Sequence, residues 1–140
     1  METNNCSDNC VRGIRKPEWI ERVEEREIVT SLAFIPDYNI VRNDRGYETS
    51  VNWQDNDRVI EFTLKQPTSQ HGAALLPRKA IDEANKLPMS RDCLAYERKI
   101  LNGNPYHGNI VFLKCSRSIV KMIAGTLALG VIQIFQPQGK

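Results

Sequence analysis

The chain has 140 residues, 41% of them hydrophobic, which is one domain's worth of sequence with enough apolar material for a core. That excludes a largely disordered chain, a fold that relies on disulfides, and two independent domains. Nineteen Lys and Arg stand against 17 Asp and Glu, a formal net charge of +2, so no overall charge compels a nucleic-acid or membrane partner.

The opening Met1-Glu2-Thr3-Asn4-Asn5 is polar and carries neither the apolar stretch of a secretory signal nor an Arg-rich transit pattern. It predicts a cytoplasmic setting with reduced thiols. Residues 1–17 read as a flexible polar tail ending at Pro17, and 18–140 as the folded domain. Glu18–Glu27 is strongly charged, with Trp19, Ile20 and Val23 at spacings that suit one or two exposed helical turns. Ile28–Ile35 is rich in β-branched and aromatic residues and stops at Pro36-Asp37, a strand pattern. Asn43-Asp44-Arg45-Gly46 predicts a turn and Tyr47–Trp53 a second strand.

In residues 57–65, Ile60, Phe62 and Leu64 alternate with Glu61, Thr63 and Lys65, which predicts a strand, although Asp55 and Asp57 are helix-capping types. Pro67–Gly72 reads as a loop, Ala80–Leu87 as a helix between prolines, and Arg91–Leu101 as a second helix. Asn102-Gly103-Asn104-Pro105 has turn chemistry and leads into a strand at Asn109–Leu113. The apolar run 118–135 is interrupted by Lys121, Gly125, Gly130 and Gln133, so it predicts a buried helix over 118–129 rather than a membrane span. Gly130 would cap that helix in the left-handed conformation, and Val131–Phe135 would follow as a short strand. Four or five strands with two to four helices, in no regular βαβ rhythm, predict an α+β domain. Its sheet would be mixed or mostly antiparallel, with the 118–129 helix packed on it.

The signatures of common nucleotide, zinc and hydrolase sites are absent, so no cofactor is predicted. Cys6 and Cys10 form one close pair, but Cys93 and Cys115 do not form the second that a zinc site normally uses. Cys115-Ser116-Arg117-Ser118 lacks the glycines of a phosphate loop and reads as a helix cap. The two histidines, His71 and His107, both precede glycine. With Glu97 they compose the one candidate catalytic set, for metal-independent cleavage of a phosphodiester, which requires the pair to meet in space.

The charge distribution is the unusual feature. Residues 1–97 hold 13 cations and 17 anions, a net of −4, whereas the six ionic residues from Arg98 onward are all cations. This predicts a basic C-terminal binding surface made of Arg98, Lys99, Lys114, Arg117 and Lys121, with Tyr106 beside it. Like charges on Lys114, Arg117 and Lys121 near a helix N-terminus repel, so an anionic partner would favour the cluster. Val29-Thr30-Ser31-Leu32-Ala33-Phe34, Thr49-Ser50-Val51 and Asn104-Pro105-Tyr106-His107 resemble short bacterial proteins with a similar Ser-containing strand, Ser-Val and Asn-Pro-x-His turn. That resemblance covers part of the chain and implies no activity. The reading is a binding protein rather than an enzyme, meeting an acidic protein or nucleic acid. The phosphodiester-cleaving enzyme and a structural subunit of a larger assembly are the alternatives. Oligomeric state is not legible.

Overall fold

A strand forms where the sequence suggests a tail. In the computed structural model, which describes residues 6–38, 46–113 and 115–137, Asn9–Gly13 is β1. It lies inside the main sheet, antiparallel to β4 (Gly46–Trp53) on one side and β5 (Ala73–Pro77) on the other. Cys10 is buried on one sheet face and Val11 on the other. A strand covered on both faces needs no alternation of apolar with polar residues, so β1 lacks the usual period of two. The tail reading is thereby corrected from Cys6 onward; residues 1–5 lie outside the described residues. β5, Ala-Ala-Leu-Leu-Pro, is buried on both faces too and escaped notice for the same reason.

The main sheet has six antiparallel strands in the order β6-β7-β4-β1-β5-β8, where β6 is Leu94–Arg98, β7 His107–Leu113 and β8 Gln133–Phe135. The α+β class and the antiparallel sheet are as expected, with more strands than predicted. The strands at Tyr47–Trp53, Asn109–Leu113 and the C-terminal end, and the turn at 102–105, also appear. The predicted turn at Asn43–Gly46 falls mostly outside the described residues.

Three segments differ from expectation. Glu18–Glu27 contributes to a separate hairpin of β2 (Ile20–Val23) and β3 (Arg26–Val29), turned at Glu24 with φ 59°. After Val29 the chain makes a 3-10 turn at Ser31–Ala33, because Ala33 and Phe34 must drop into the core. Residues 58–64 are a helix, α1 (Arg58–Leu64), and not a strand. Its inward pair is Val59 and Thr63, one helical turn apart, with Ile60 and Leu64 beside them. Of the alternating set, Ile60 and Leu64 flank that helical stripe while Phe62 lies off it against Tyr106. The predicted helix at Arg91–Leu101 is the edge strand β6, since Asp92 at φ 60° breaks any helix there and Leu94–Arg98 pairs with β7.

α2 (Arg78–Ala84) and α3 (Arg117–Leu129) complete the domain. Ser116 caps α3 by accepting from Ile119 N–H, and Val120, Ile123, Ala124, Leu127 and Ala128 form its buried stripe. Gly130 ends the helix at φ −85°, not in the left-handed form. Glycine is needed there for space, as a Cβ would lie 2.8 Å from that of Ala80. α3 packs over the sheet face that carries Trp53, Leu76, Ile110 and Phe112, and this makes the main core. On the opposite face α1 covers only the β1–β5 half, through Val11, Val59, Ala73 and Leu75. Among the described residues no helix is long and apolar enough to cross a membrane.

Candidate functional site: a basic cleft on the open half of the sheet

The half of the sheet that α1 leaves open is built from alternate residues of β4, β7 and β6. Ser50 and Asn52 of β4 lie opposite Asn109 and His107 of β7, and Asn109 lies opposite Glu97 of β6. Strand alternation puts all of these on one face. Glu97 accepts a 2.8 Å hydrogen bond from Asn109.

Beside them the sheet splits. β1 pairs with β5 over five residues but with β4 only at Cys10 and Val11. Arg12 fills the resulting gap, donating from Nε to Ala33 O at 2.8 Å and from Nη1 to Ser50 O at 2.9 Å. Its guanidinium also stacks 5.0 Å from the Trp19 ring centroid, with Arg15 at 5.5 Å. Burial lowers the Arg12 pKa to about 10, with help from Arg15, so it stays cationic at neutral pH. The segments at 29–34, 49–51 and 104–107, far apart in sequence, all reach this neighbourhood.

Two adjoining cavities occupy the open face. The first, about 430 Å³, is lined by Arg12, Arg15, His107 and by Asn52, Gln66 and Asn104. The second, about 580 Å³, shares Arg12, Arg15, Trp19, Ser50, Leu101 and His107 with it and adds Lys16, Lys99, Asn109, Asp37 and Glu48. The tight turn at Leu101–Asn104, with Gly103 at φ 86°, overhangs both. His107 Nδ1 lies 2.8 Å from Lys99 O. A carbonyl only accepts, so Nδ1 carries the proton and Nε2 is left for other contacts.

The residues singled out from sequence divide among several places. His107 and Lys99 line the cleft, and Glu97 sits beside it on Asn109. His71 does not join them. It lies just before β5, its N–H bonded to Ile14 O, three strands from β7 or on the order of 14 Å across the sheet. The paired-histidine arrangement is therefore not assembled. Arg98 pairs with Asp55 and donates to Pro105 O. Tyr106 packs edge-on to Phe62 at 5.2 Å. Arg117 lies 4.3 Å from the Tyr38 ring centroid at the start of α3, and Lys121 is exposed on that helix, on the far side of the sheet from the cleft. Lys114 is outside the described residues. The C-terminal cations among the described residues thus do not make one surface.

Sequence reasoning missed Arg12, Arg15 and Lys16. Three cations in five residues were visible there, but they lay in the supposed tail. Among the described residues no three potential metal ligands come together. Burial raises the thiol pKa of Cys6, Cys10 and Cys115, the last to about 11 with the neighbouring Cys93 adding to the effect. Comparison with known proteins gives no further guide to this cleft, for no family model, curated protein or solved structure matches the chain.

Proposed function

We propose that the protein works by binding, and that its partner is a nucleic-acid strand held by phosphate contacts along the cleft. The observation that carries this reading is that cations from two separate walls face one concavity. Arg12, Arg15 and Lys16 come from the β1 side, and Lys99, with the His107 imidazole beside it, from the β6–β7 side. Amides and hydroxyls fill the floor between them. A docking face for an acidic protein would instead need a broad surface with an aromatic or aliphatic anchor. Here the aromatic lining residue, Trp19, is already stacked under two arginines, and the exposed aliphatic Leu101 belongs to the narrow turn at 101–104 rather than to a broad surface.

Fluorescence anisotropy with labelled single-stranded RNA and DNA across a salt series tests the proposal. Affinity should fall steeply with salt, and Arg15→Ala combined with Lys99→Ala should reduce the log–log slope by about two. Arg117→Ala with Lys121→Ala, across the sheet, should leave that slope unchanged. The reverse pattern would return the site to the C-terminal cations, and absence of binding at low salt would remove nucleic acid as partner. A gentle salt dependence with an acidic protein, acting through its association rate, would indicate the other class of partner.

A further inference from the structure

The floor of the first cavity carries a relay of buried amides whose hydrogen-bond direction is set by a backbone donor. Tyr106 N–H donates to Asn104 Oδ1 at 3.0 Å, so Asn104 turns its Nδ2 to Asn52 Oδ1 at 2.9 Å. Asn52 then donates from Nδ2 to Thr63 Oγ1 at 2.8 Å and Gln66 Oε1 at 3.1 Å. Thr63 cannot reverse the chain, because its hydroxyl proton goes to Val59 O at 2.7 Å. Flipping one amide alone would set donor against donor or acceptor against acceptor. The relay therefore ends with Gln66 Oε1 occupied and the Gln66 NH2 group without a partner among the described residues, on a side chain that lines the cavity.

Arg12 and Arg15 line the same cavity. Arg12 is anchored by Nε and Nη1 on two carbonyls, which leaves Nη2 without a partner among the described residues. A guanidinium held this way is an oriented fork for an oxyanion. Among the described residues no carboxylate lines this cavity, whereas Asp37 and Glu48 line its neighbour. The volume, about 430 Å³, lies in the range of small-ligand sites and suits one phosphorylated nucleotide rather than a length of strand.

We propose that the first cavity is a phosphate-monoester pocket, with Arg12, Arg15 and the Gln66 amide on the phosphate, and that it takes the terminal phosphorylated nucleotide of the strand in the cleft. The strand part rests on the function proposed above. A monoester offers three terminal oxygens and more charge than a diester, which matches two guanidiniums and an amide donor with no opposing anion among the described residues. Free ribose 5-phosphate carries the same group and is the second source to be distinguished.

The test compares oligonucleotides of one sequence with a 5′-phosphate or a 5′-hydroxyl by anisotropy on the full chain, with ribose 5-phosphate titrated by calorimetry. The phosphorylated end should bind about tenfold tighter or better, and ribose 5-phosphate should compete for that gain. Gln66→Glu keeps the acceptor that Asn52 uses but replaces the NH2 donor with a carboxylate oxygen. It should remove the preference, weakening the 5′-phosphate strand by clearly more than the 5′-hydroxyl strand. Arg15→Ala, at an exposed residue, should lower the preference in the same direction should Gln66→Glu fail to fold. Equal affinity for the two ends with no uptake of ribose 5-phosphate overturns the pocket, as does a Gln66→Glu loss shared equally by both strands. Binding of ribose 5-phosphate but of neither strand keeps the phosphate pocket, assigns it to the free sugar phosphate, and removes the nucleic-acid reading.

Discussion

The two faces of the six-stranded sheet solve different problems with the same strands. On the α3 face, Trp53, Leu76, Ile110 and Phe112 meet Val120, Ile123 and Leu127, all of them fully or almost fully buried. On the other face, α1 has only seven residues and covers the β1–β5 half, while Ser50, Asn52, His107 and Asn109 line the β4–β7 half as the floor of a cleft. The covered face is held by packing, where every methylene counts. The open face is held by directed hydrogen bonds, where the cost lies in leaving a partner unmatched. Gly108 marks the boundary. It faces the core beneath the Trp53 indole, and the absence of a Cβ there lets Trp53 Nε1 donate 2.9 Å to Glu97 O on β6. The strand edge next to the cleft is thus pinned from the core side.

The largest expected effect tests whether both faces depend on β1. Deleting residues 1–15 removes a strand from between β4 and β5, with Cys10, Val11 and Ile14, and should abolish cooperative unfolding by circular dichroism. A truncated chain that still melts sharply would show the two halves of the sheet to be independent. Leu127→Ala probes the α3 face alone and should cost about 2–5 kcal/mol in denaturant unfolding, through the cavity it leaves. A loss below about 0.5 kcal/mol, the scale of a surface change, would break the picture of a tightly packed face. Asn104→Ala probes the open face. It strands Tyr106 N–H and Asn52 Oδ1, and should cost about 1–3 kcal/mol while also weakening ligand binding. Loss of binding with unchanged stability would mean that the relay does not hold the floor of the cleft.

The smallest effect is a pH dependence carried by the covered face. Burial, with the neighbouring Cys6, raises the Cys10 thiol above its ordinary pKa of 9.0, and burial with Cys93 raises Cys115 to about 11. The unfolded thiols ionise first, so the stability gained by keeping them protonated is complete below pH 9 and is lost as pH rises toward the folded values. Arg12 has the opposite sign, its folded pKa being lowered to about 10, and acts only from there upward. The melting temperature should therefore fall between pH 9 and 10, and Cys10→Ala should flatten that fall whatever its effect on the starting value. An unchanged slope would mean that Cys10 is solvated in solution.

Much of the secondary structure was legible where one constraint dominated. α3 has a capping serine, a continuous apolar stripe and a terminating glycine, so local chemistry and burial agree. β4 and β7 are long and rich in β-branched residues or aromatics, and β7 follows the turn at 102–105. The errors fell where the local pattern was compatible with two periods, as at Ile60-Phe62-Leu64, or where burial on both faces erased any period, as in β1 and β5. Of the candidate site, His107 and Lys99 were found through turn chemistry and charge. Arg12, Arg15 and Gln66 were not, because neither the splitting of two strands nor the direction of an amide relay leaves a mark in sequence spacing.

Local chemistry was enough to set the α+β class, the longer strands and the C-terminal helix, since propensity, capping and turn residues act within a few positions of one another. Which cations share a surface depends instead on how the strands pair. Arg98 is committed to Asp55, Arg117 and Lys121 lie across the sheet, and Arg12, Arg15 and Lys16 are brought to Lys99 and His107. A charge acts through space over about 8–10 Å in physiological salt, whatever its distance along the chain. The order β6-β7-β4-β1-β5-β8 places residues 12–16 and 99–107 within one cleft. That order depends on non-local pairings that no window of the sequence contains.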